Sequence, residues 1–265
     1  MPLTAANLQI AFRNLETVRH FYFYPTIGST NEKAKELAMV GAEDGTLVIA
    51  DGQTSGRGRS GRHWYSPPGL GLYVSFILRP RIPADRAFGA HMAASLAAVH
   101  AVDAQGPQSI VGIKWPNDLV AEGRKLAGVL AEVGFRGGRL DWCVVGVGLN
   151  VNHTAKDFPP DLRDKAVSLR ELCHRRLDRT RVLVDLLEGM HRWMERFQSE
   201  GMEVLASEWR RRSSILGRSV RVETAGEAYV GTAVALEGDG ALRIRLESGT
   251  EEVLHAGDVH LVQYR

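Results

Sequence analysis

The sequence predicts an α+β protein, with a mixed β-sheet flanked by helices and a small β-barrel at its C-terminal end. Residues 1–215 combine short apolar strand-like runs with amphipathic helical stretches, as expected of a larger domain. Residues 216–265 contain only short alternating runs separated by glycines, a pattern typical of a small barrel. A chain of 265 residues also exceeds what one hydrophobic core usually serves, so two domains are expected.

The first part of the larger domain is predicted to form strands and one helix around a glycine-rich loop. Residues 19–24 are rich in aromatic side chains and predict a strand that ends at Pro25. Ser29 is expected to begin a helix, because Glu32 follows at capping-box spacing and Gly41 is a suitable end. The strands expected on either side of the loop are residues 46–50 and 72–78.

Further along the chain, core helices and strands are both expected. Asp85 is predicted to cap a helix over residues 88–99, and a long amphipathic helix is predicted over residues 180–197. Residues 210–212, three arginines, are interpreted as the solvated edge of a linker. The remaining predicted strands are residues 110–115, 125–133, 142–147, 220–223, 228–236, 241–246 and 251–254.

Bulk composition argues against several classes of protein. No apolar run approaches the roughly 18 residues of a membrane span, and the N-terminus lacks a signal-peptide pattern, so a cytoplasmic protein with no membrane partner is expected. A net charge of +2 gives no reason to expect DNA as a partner. Cys143, Cys173 and the nine histidines lack metal-ligand spacing, so no structural metal is expected.

The segment G-R-G-R-S-G-R at residues 56–62, here termed the Gly-Arg loop, fits the dinucleotide pattern G-x-G-x-x-G but not its context. That fingerprint needs a helix directly after it, whereas H-W-Y-S-P-P-G follows and disfavours one. A P-loop is excluded because Arg62 and His63 stand where Lys and Ser/Thr are needed. What remains is a flexible backbone with Arg57, Arg59 and Arg62, suited to closing over phosphate or carboxylate. A solvated basic hairpin tip is the alternative, and composition alone does not separate the two.

Three later motifs carry polar groups suited to a ligand site, although each could be an ordinary turn. K-W-P-N-D at residues 114–118 brings a cation, an aromatic ring, an amide and a carboxylate into an extended turn at Pro116. R-K-L-A-G at residues 124–128 puts Lys125 at the start of a strand. G-V-G-L-N-V-N at residues 146–152 ends a buried strand with two amides.

Taken in order, the motifs S-T-N, D-G-Q-x-x-G-R-G-R-x-G-R-x-W, K-W-P-N-D, R-K-L-A-G and G-x-G-x-N resemble those of the biotin protein ligases. The resemblance covers residues 29–152, and the terminal barrel resembles the family's small C-terminal domain. It implies a class II synthetase-like catalytic domain that binds biotin and ATP over residues 1–215, with an SH3-like barrel over residues 216–265. Only 28 residues precede S-T-N, so the chain resembles the monofunctional members without a DNA-binding domain, and no operator binding is expected.

The resemblance also implies a reaction. Biotin, as substrate, attacks the α-phosphate of ATP in the presence of Mg²⁺ and forms biotinyl-5′-AMP. A lysine of a biotin carboxyl carrier protein, from acetyl-CoA carboxylase or a related carboxylase, then takes the biotinyl group. Such chemistry depends on positioning and charge stabilisation, which suits motifs rich in cations and amides.

Residue roles are carried over from the family by motif position. The catalytic residues are Lys125, Arg59 and Asp118, and Asp118 could orient Lys125, bind Mg²⁺ or accept a proton. The residues implied to bind biotin are Ser29, Thr30, Asn31, Gln53, Arg57, Gly58, Arg59 and Lys125. Those implied to hold ATP and its metal are Arg62, Trp64, Lys114, Asn117 and Asn150.

Three other readings stay open. A lipoate protein ligase-like enzyme shares the adenylation chemistry, but it would be expected to lack G-R-G-R-x-G-R. A non-catalytic biotin-sensing module would use only the ligand pocket, and an SH3-like interaction protein would account only for residues 216–265. The sequence identifies neither the carrier nor the oligomeric state, so a homodimer stays open. We expect the Gly-Arg loop to be loose without ligand and ordered by the adenylate.

Overall fold

The larger of two sheets is mixed, in a computed structural model that describes residues 3–13, 15, 18–80, 82–107, 109–137, 139–224 and 226–262. Its seven strands are β1 Phe21–Ile27, β2 Thr46–Gln53, β3 Gly71–Leu78, β4 Gly112–Lys114, β5 Asp118–Ala121, β6 Arg124–Arg136 and β7 Arg139–Asn150. Their spatial order is β1-β2-β3-β7-β6-β5-β4. Strand β1 runs parallel to β2, whereas all other neighbours are antiparallel.

Helices cover both faces of this sheet. In the described ranges they are α1 Ala5–Ala11, α2 Thr30–Met39, α3 Phe88–Asp103, α4 Leu169–Cys173, α5 Arg179–Glu200 and α6 Met202–Arg212. Ala34 and Ala38 of α2 pack against Val48, Ile77 and Val144 on one face. Helices α3 and α5 lie in a larger apolar cluster on the opposite face. None of these helices is long and apolar enough to cross a membrane.

The period of two along β7 separates a packed face from an open one. Val145, Val147 and Leu149 join the cluster that contains α3 and α5, whereas Val144 packs with α2. The residues two and four positions beyond Val144 are glycines, which face the side of α2 without adding bulk. A trough is therefore left on this face, beside the N-terminal end of α2.

A second, five-stranded antiparallel sheet follows α6. Its strands are β8 Ser219–Glu223, β9 Ala228–Leu236, β10 Leu242–Leu246, β11 Glu251–Leu254 and β12 Asp258–Leu261, in the order β11-β10-β9-β8-β12. Val222, Leu242 and Val259 belong to the same buried cluster as α3. The Trp115 indole N–H also donates to the Gly240 carbonyl (2.9 Å). The terminal sheet is thus packed directly onto the larger unit.

Some predicted element boundaries are wrong. Strand β1 continues through Pro25, which is tolerated because β1 is an edge strand and needs no N–H on its outer side. Ser29 is the N-cap of α2, as predicted, but its side chain makes no capping hydrogen bond. Helix α3 begins after Ala87, and the side chain of Asp85 lies outside the described part of the chain.

Other elements are absent from the sequence-based prediction, namely α1, α4, α6, β5 and β12. Residues 210–212 form the last turn of α6 and are not a linker edge. Arg210 donates to the Leu236 carbonyl (2.7 Å), and Arg212 pairs with Asp103 and Glu208. The basic run therefore fastens α6 to β9 and α3.

Two histidines are buried in apolar surroundings. His91 of α3 lies 2.7 Å from the Pro116 carbonyl through Nε2. His153, three residues after β7, stacks on Phe158 with ring centroids 4.8 Å apart. Neither ring nitrogen of His153 has a hydrogen-bond partner among the described residues. Burial lowers the pKa of each histidine to about 4.

We predict that His153 makes the protein less stable in acid. Its pKa of about 4 in the folded state lies below the ordinary value of 6.5, so the unfolded state takes up the proton first as the pH falls. The stability contributed by neutral His153 is complete above about pH 6.5 and is lost towards pH 4. His153→Phe keeps the stacked ring and should be at least as stable as wild type at pH 7.5 in urea unfolding. The stability advantage of His153→Phe over wild type should be about 2 kcal/mol larger at pH 5 than at pH 7.5. An advantage that is independent of pH would contradict the low pKa of His153.

Candidate active site

A cavity of about 730 Å³ opens in the trough beside α2. Its other walls are formed by the Gly-Arg loop, the turn between β4 and β5, the segment after β7 and strand β12. The structure brings to this cavity all the predicted site residues: Ser29, Thr30, Asn31, Gln53, Arg57, Gly58, Arg59, Arg62, Trp64, Lys114, Asn117, Asp118, Lys125 and Asn150. Motifs that could each have been an ordinary turn therefore form one site.

Neutral polar groups form a connected network at one end of the cavity. The Gln53 Oε1 accepts from the Thr30 backbone N–H (2.8 Å) and from its hydroxyl (3.2 Å). Ser75, fully buried on β3, donates to Asn31 Oδ1 (2.7 Å) and lies 2.9 Å from the Thr30 hydroxyl. The Asn31 amide donates to Glu132 of β6 (3.1 Å). This end therefore presents hydrogen-bonding groups in fixed orientations.

Glycines on β6 and β7 make room for the side chains of the site. A Cβ on Gly146 would lie 1.9 Å from Asn31 Oδ1, and one on Gly148 would lie 2.5 Å from the Trp64 ring. Gly128 pairs with Gly148 across the strands, and its Cβ would lie 3.2 Å from the same ring. The glycines of R-K-L-A-G and G-x-G-x-N therefore form the floor of the cavity, with Trp64 lying on it.

Six lysines and arginines line the cavity, and four of them gather around Asp118 and Asp258 at its other end, namely Arg59, Arg62, Lys114 and Lys125. The Lys125 Nζ lies 2.7 Å from Asp118 Oδ1 and 5.2 Å from the centre of the Trp64 ring. Within the described part of the chain, the same Asp118 oxygen is buried and accepts no well-directed hydrogen bond. Burial lowers the pKa of Lys114, and neighbouring Asp118 opposes that effect.

The Gly-Arg loop folds back on itself as a hairpin. The Trp64 N–H donates to the Gly56 carbonyl (2.9 Å), and the Gly58 N–H donates to the Arg62 carbonyl (2.7 Å). Gly56 is required at the base, because a Cβ there would lie 2.5 Å from the Trp64 carbonyl. The regular element that follows the loop along the chain is strand β3, not a helix. This agrees with the rejection of a dinucleotide-binding fingerprint, which needs a helix there.

Arginines of the loop are paired with acids of the elements on either side. Arg57 pairs with Glu32 of α2, and Arg62 pairs with Asp258 at the start of β12. Burial lowers the pKa of Arg59, and the nearby Asp258 opposes that effect. The loop is thus held between α2 and the terminal sheet, which argues against a free hairpin tip.

Two amides predicted to bind ligand are already engaged. The Asn117 Oδ1 accepts from Arg59 (3.2 Å), which also donates to the Gly257 carbonyl (3.2 Å). Asn150 donates from its side-chain nitrogen to two backbone carbonyls (3.3 and 3.1 Å). Asn150 therefore braces β7 against its neighbours, and its side-chain oxygen is the group available to a ligand.

The site also contains residues that the sequence did not single out, among them Ser75, Glu132 and Asp258. Ser75 is a polar residue in the apolar run L-Y-V-S-F-I-L, and that break in the pattern was a usable signal. Glu132 has the pattern of a strand surface residue, yet it accepts from Asn31 and pairs with Lys35 (2.9 Å). Asp258 belongs to a strand that was not predicted.

This arrangement suits a ligand with a neutral hydrogen-bonding head and an anionic end. Fixed donors and acceptors would select the head, and partly buried cations would stabilise charge on a carboxylate or phosphate. Within the described residues, no group of three His, Cys, Asp or Glu side chains is placed to hold a metal ion.

Known proteins resemble this chain along most of its length. The model of the Biotin/lipoate A/B protein ligase family matches residues 23–150, and that of the Biotin protein ligase C terminal domain matches residues 215–262. A biotin--[acetyl-CoA-carboxylase] ligase of Mycobacterium tuberculosis is 36% identical over 237 residues, covering 88% of this chain and 85% of the relative. The bifunctional ligase/repressor BirA of Bacillus subtilis is 31% identical over 260 residues, covering 98% of this chain and 79% of the relative.

Among solved structures, a biotin protein ligase from Aquifex aeolicus in complex with biotin and ATP superposes with a TM-score of 0.77. It is 27% identical, and the match covers 93% of this chain and all of the relative. Fold and site together define a ligase of the biotin and lipoate class. The chain belongs to the biotin protein ligase family, and the predicted fold, a mixed sheet with a small SH3-like terminal sheet, is confirmed.

We predict that Gly146→Ala disrupts the neutral end of the cavity. The added methyl would displace Asn31, whose buried hydrogen bonds would be lost, so the free energy of unfolding should fall by about 1–3 kcal/mol. The matched control is Gly28→Ala, whose Cβ meets no atom within 4 Å. Denaturant unfolding of both variants checks this, and equal losses of stability would contradict the close contact.

Proposed function

We propose that this protein is an ATP-dependent biotin protein ligase that forms biotinyl-5′-AMP and transfers the biotinyl group to a lysine of a biotin carboxyl carrier protein. One observation carries the proposal: a single cavity joins a neutral hydrogen-bonding pocket to a cluster of four cations. The Aquifex aeolicus relative, a complex with biotin and ATP, supports the same ligands here.

The neutral end of the cavity is assigned to the head of biotin. Ser29, Thr30, Asn31 and Gln53 would hydrogen-bond the uncharged ureido ring, which needs oriented donors and acceptors and no ion pair. Ser75 would position Thr30 and Asn31 from below, since its hydroxyl contacts both.

The cationic end is assigned to the reacting groups. Arg57, Gly58 and Arg59 would close over the biotin carboxylate and the α-phosphate, and Lys125 would neutralise charge there. A carboxylate oxygen bonds to phosphorus as pyrophosphate leaves. The acceptor ε-amino group then attacks the acyl carbon, and AMP and one proton are released. Positioned cations and a closed loop serve both steps.

The nucleotide and its metal are assigned to Arg62, Trp64, Lys114, Asn117 and Asn150. Mg²⁺ prefers oxygen ligands, and Asn117 and Asp118 offer oxygens beside the phosphate-binding cations, so the residues fit a magnesium–nucleotide complex. Trp64 now lies on the glycine floor with its indole nitrogen buried and unpartnered among the described residues. It would stack on adenine only after moving from that floor.

Asp118 is assigned first to orienting Lys125. The 2.7 Å separation of Nζ and Oδ1 supports this role, because it directs the ammonium group into the cavity. The buried Oδ1 keeps acceptor capacity, so acceptance of a proton from the incoming lysine and contact with Mg²⁺ stay as further roles.

The remaining proposals concern organisation and partners. We divide the chain into a ligase domain, residues 1–215, and an SH3-like domain, residues 216–265, a boundary supported by the separate family match from residue 215. The carrier of acetyl-CoA carboxylase is the proposed acceptor, by analogy with the named relatives. A homodimer, absence of operator binding and a cytoplasmic location stay predictions.

To test this function, a carrier fragment is incubated with the enzyme, ATP, Mg²⁺ and biotin, and its mass is then measured by mass spectrometry. We expect a gain of one biotinyl group, and no gain when lipoate replaces biotin. Lys125→Gln should slow the reaction by about 100-fold or more, whereas Lys156→Gln, an exposed lysine outside the cavity, should not. No gain on a carrier that another biotin ligase modifies would overturn the proposal.

We predict that Arg59→Ala releases biotinyl-5′-AMP into solution. Without this guanidinium the Gly-Arg loop loses its bonds to Asn117 and to the Gly257 carbonyl and shields the adenylate less well. The measurement is the amount of free adenylate after rapid removal of the enzyme by filtration. An Arg59→Ala enzyme that retained its adenylate as long as wild type does would contradict the shielding role.

A further inference from the structure

The carboxylate of Asp258 stands among the side chains assigned to the nucleotide phosphates. It pairs with Arg62 and lies 3.9 Å from Arg59 Nη1. Its charge also acts on Lys114, where it opposes the lowering of the pKa by burial. Three of the four cations at this end of the cavity therefore face a carboxylate that no catalytic motif contains. Asp258 thus supplies negative charge to side chains that are assigned to the nucleotide phosphates.

Asp258 comes from the terminal sheet and is held there. It is the first residue of β12 and pairs in register with Glu223 of β8. The next residue, Val259, is 3% exposed and lies in the core shared with α3. The preceding Gly257 supplies the carbonyl that accepts from Arg59. The backbone at Asp258 is therefore anchored independently of the Gly-Arg loop.

We propose that Asp258 is a placeholder anion, which holds Arg59 and Arg62 while the nucleotide site is empty and is displaced from them by the phosphates of ATP. This inference rests on the proposed function for the identity of its ligand. Two anions compete for the same guanidinium groups, and a carboxylate that stays nearby also repels the incoming phosphates. Asp258 is therefore a positioning residue. It holds the Gly-Arg loop in place before the nucleotide binds, and it opposes nucleotide binding.

The competition predicts that loss of the Asp258 charge strengthens nucleotide binding. Asp258→Asn should bind an ATP analogue with a methylene group between the α and β phosphates about three- to tenfold more tightly, measured by calorimetry at saturating biotin. Affinity for biotin alone should not change. If the role of Asp258 were purely structural, Asp258→Asn would instead bind both ligands more weakly. Asp258→Glu restores the charge and should restore the wild-type affinity.

The matched control removes the same charge elsewhere on the terminal sheet. Glu247 is exposed in the turn between β10 and β11, and within the described residues it forms no ion pair with an arginine of the loop. Glu247→Gln should leave nucleotide affinity at the wild-type value. A gain equal to that of Asp258→Asn would mean that net charge acts at a distance, and it would overturn the placeholder role.

A second measurement needs no ligase activity. Trypsin cleaves after arginine, so the rates of cutting after Arg59 and Arg62 report how well the loop is held. Without ligand, Asp258→Asn should be cut several-fold faster than wild type or Glu247→Gln, and the ATP analogue should protect all three proteins. Unchanged cutting together with unchanged or weaker nucleotide affinity would overturn the inference. Faster cutting in a protein that fails to biotinylate the carrier would instead contradict the proposed function alone.

Discussion

Mutual repulsion of the cations in one partly buried cavity is the constraint on which the rest of the site depends. Unit charges about 4 Å apart interact by about 4 kcal/mol at the effective dielectric constant of a protein surface. Nearby anions offset this repulsion between Arg59, Arg62, Lys114 and Lys125. Asp118 lies against Lys125 from β5, and Asp258 lies against the arginines from β12. The acids keep the cations gathered before any ligand arrives.

The neutral end of the cavity depends on a different constraint, the alternation of side chains along strands. Strand β7, which buries Val145 and Val147 in the cluster with α3, presents Gly146 and Gly148 to the other face. Any larger residue at those glycines would collide with Asn31 or Trp64. Side chains alternate in the same way along β3, where Ser75 provides a hydroxyl between apolar neighbours. Core and cavity are thus two faces of one sheet.

The sequence predicted those parts of the fold and site that depend on local patterns. Strong periodicity placed the long helix α5 and the four barrel strands β8 to β11, and short motifs picked out residues that share one cavity. Weak patterns were lost, because α6 has only Leu205, Ala206 and Trp209 on its buried face and β12 has four residues. Pairing between distant residues was also hidden, since nothing local to Asp258 indicates that it contacts Arg62.

The terminal sheet also supports the site, beyond forming a unit of its own. Trp115, in the middle of K-W-P-N-D, donates to Gly240 of that sheet, so the turn that carries Asn117 and Asp118 is braced from outside the larger sheet. Strand β12 supplies cavity wall at Val259 and a charge at Asp258. An independent interaction module would need neither contact. Because a single apolar cluster joins the two units, a shift of the terminal sheet would move the charge facing the Gly-Arg loop. The site is therefore complete only where both sheets meet.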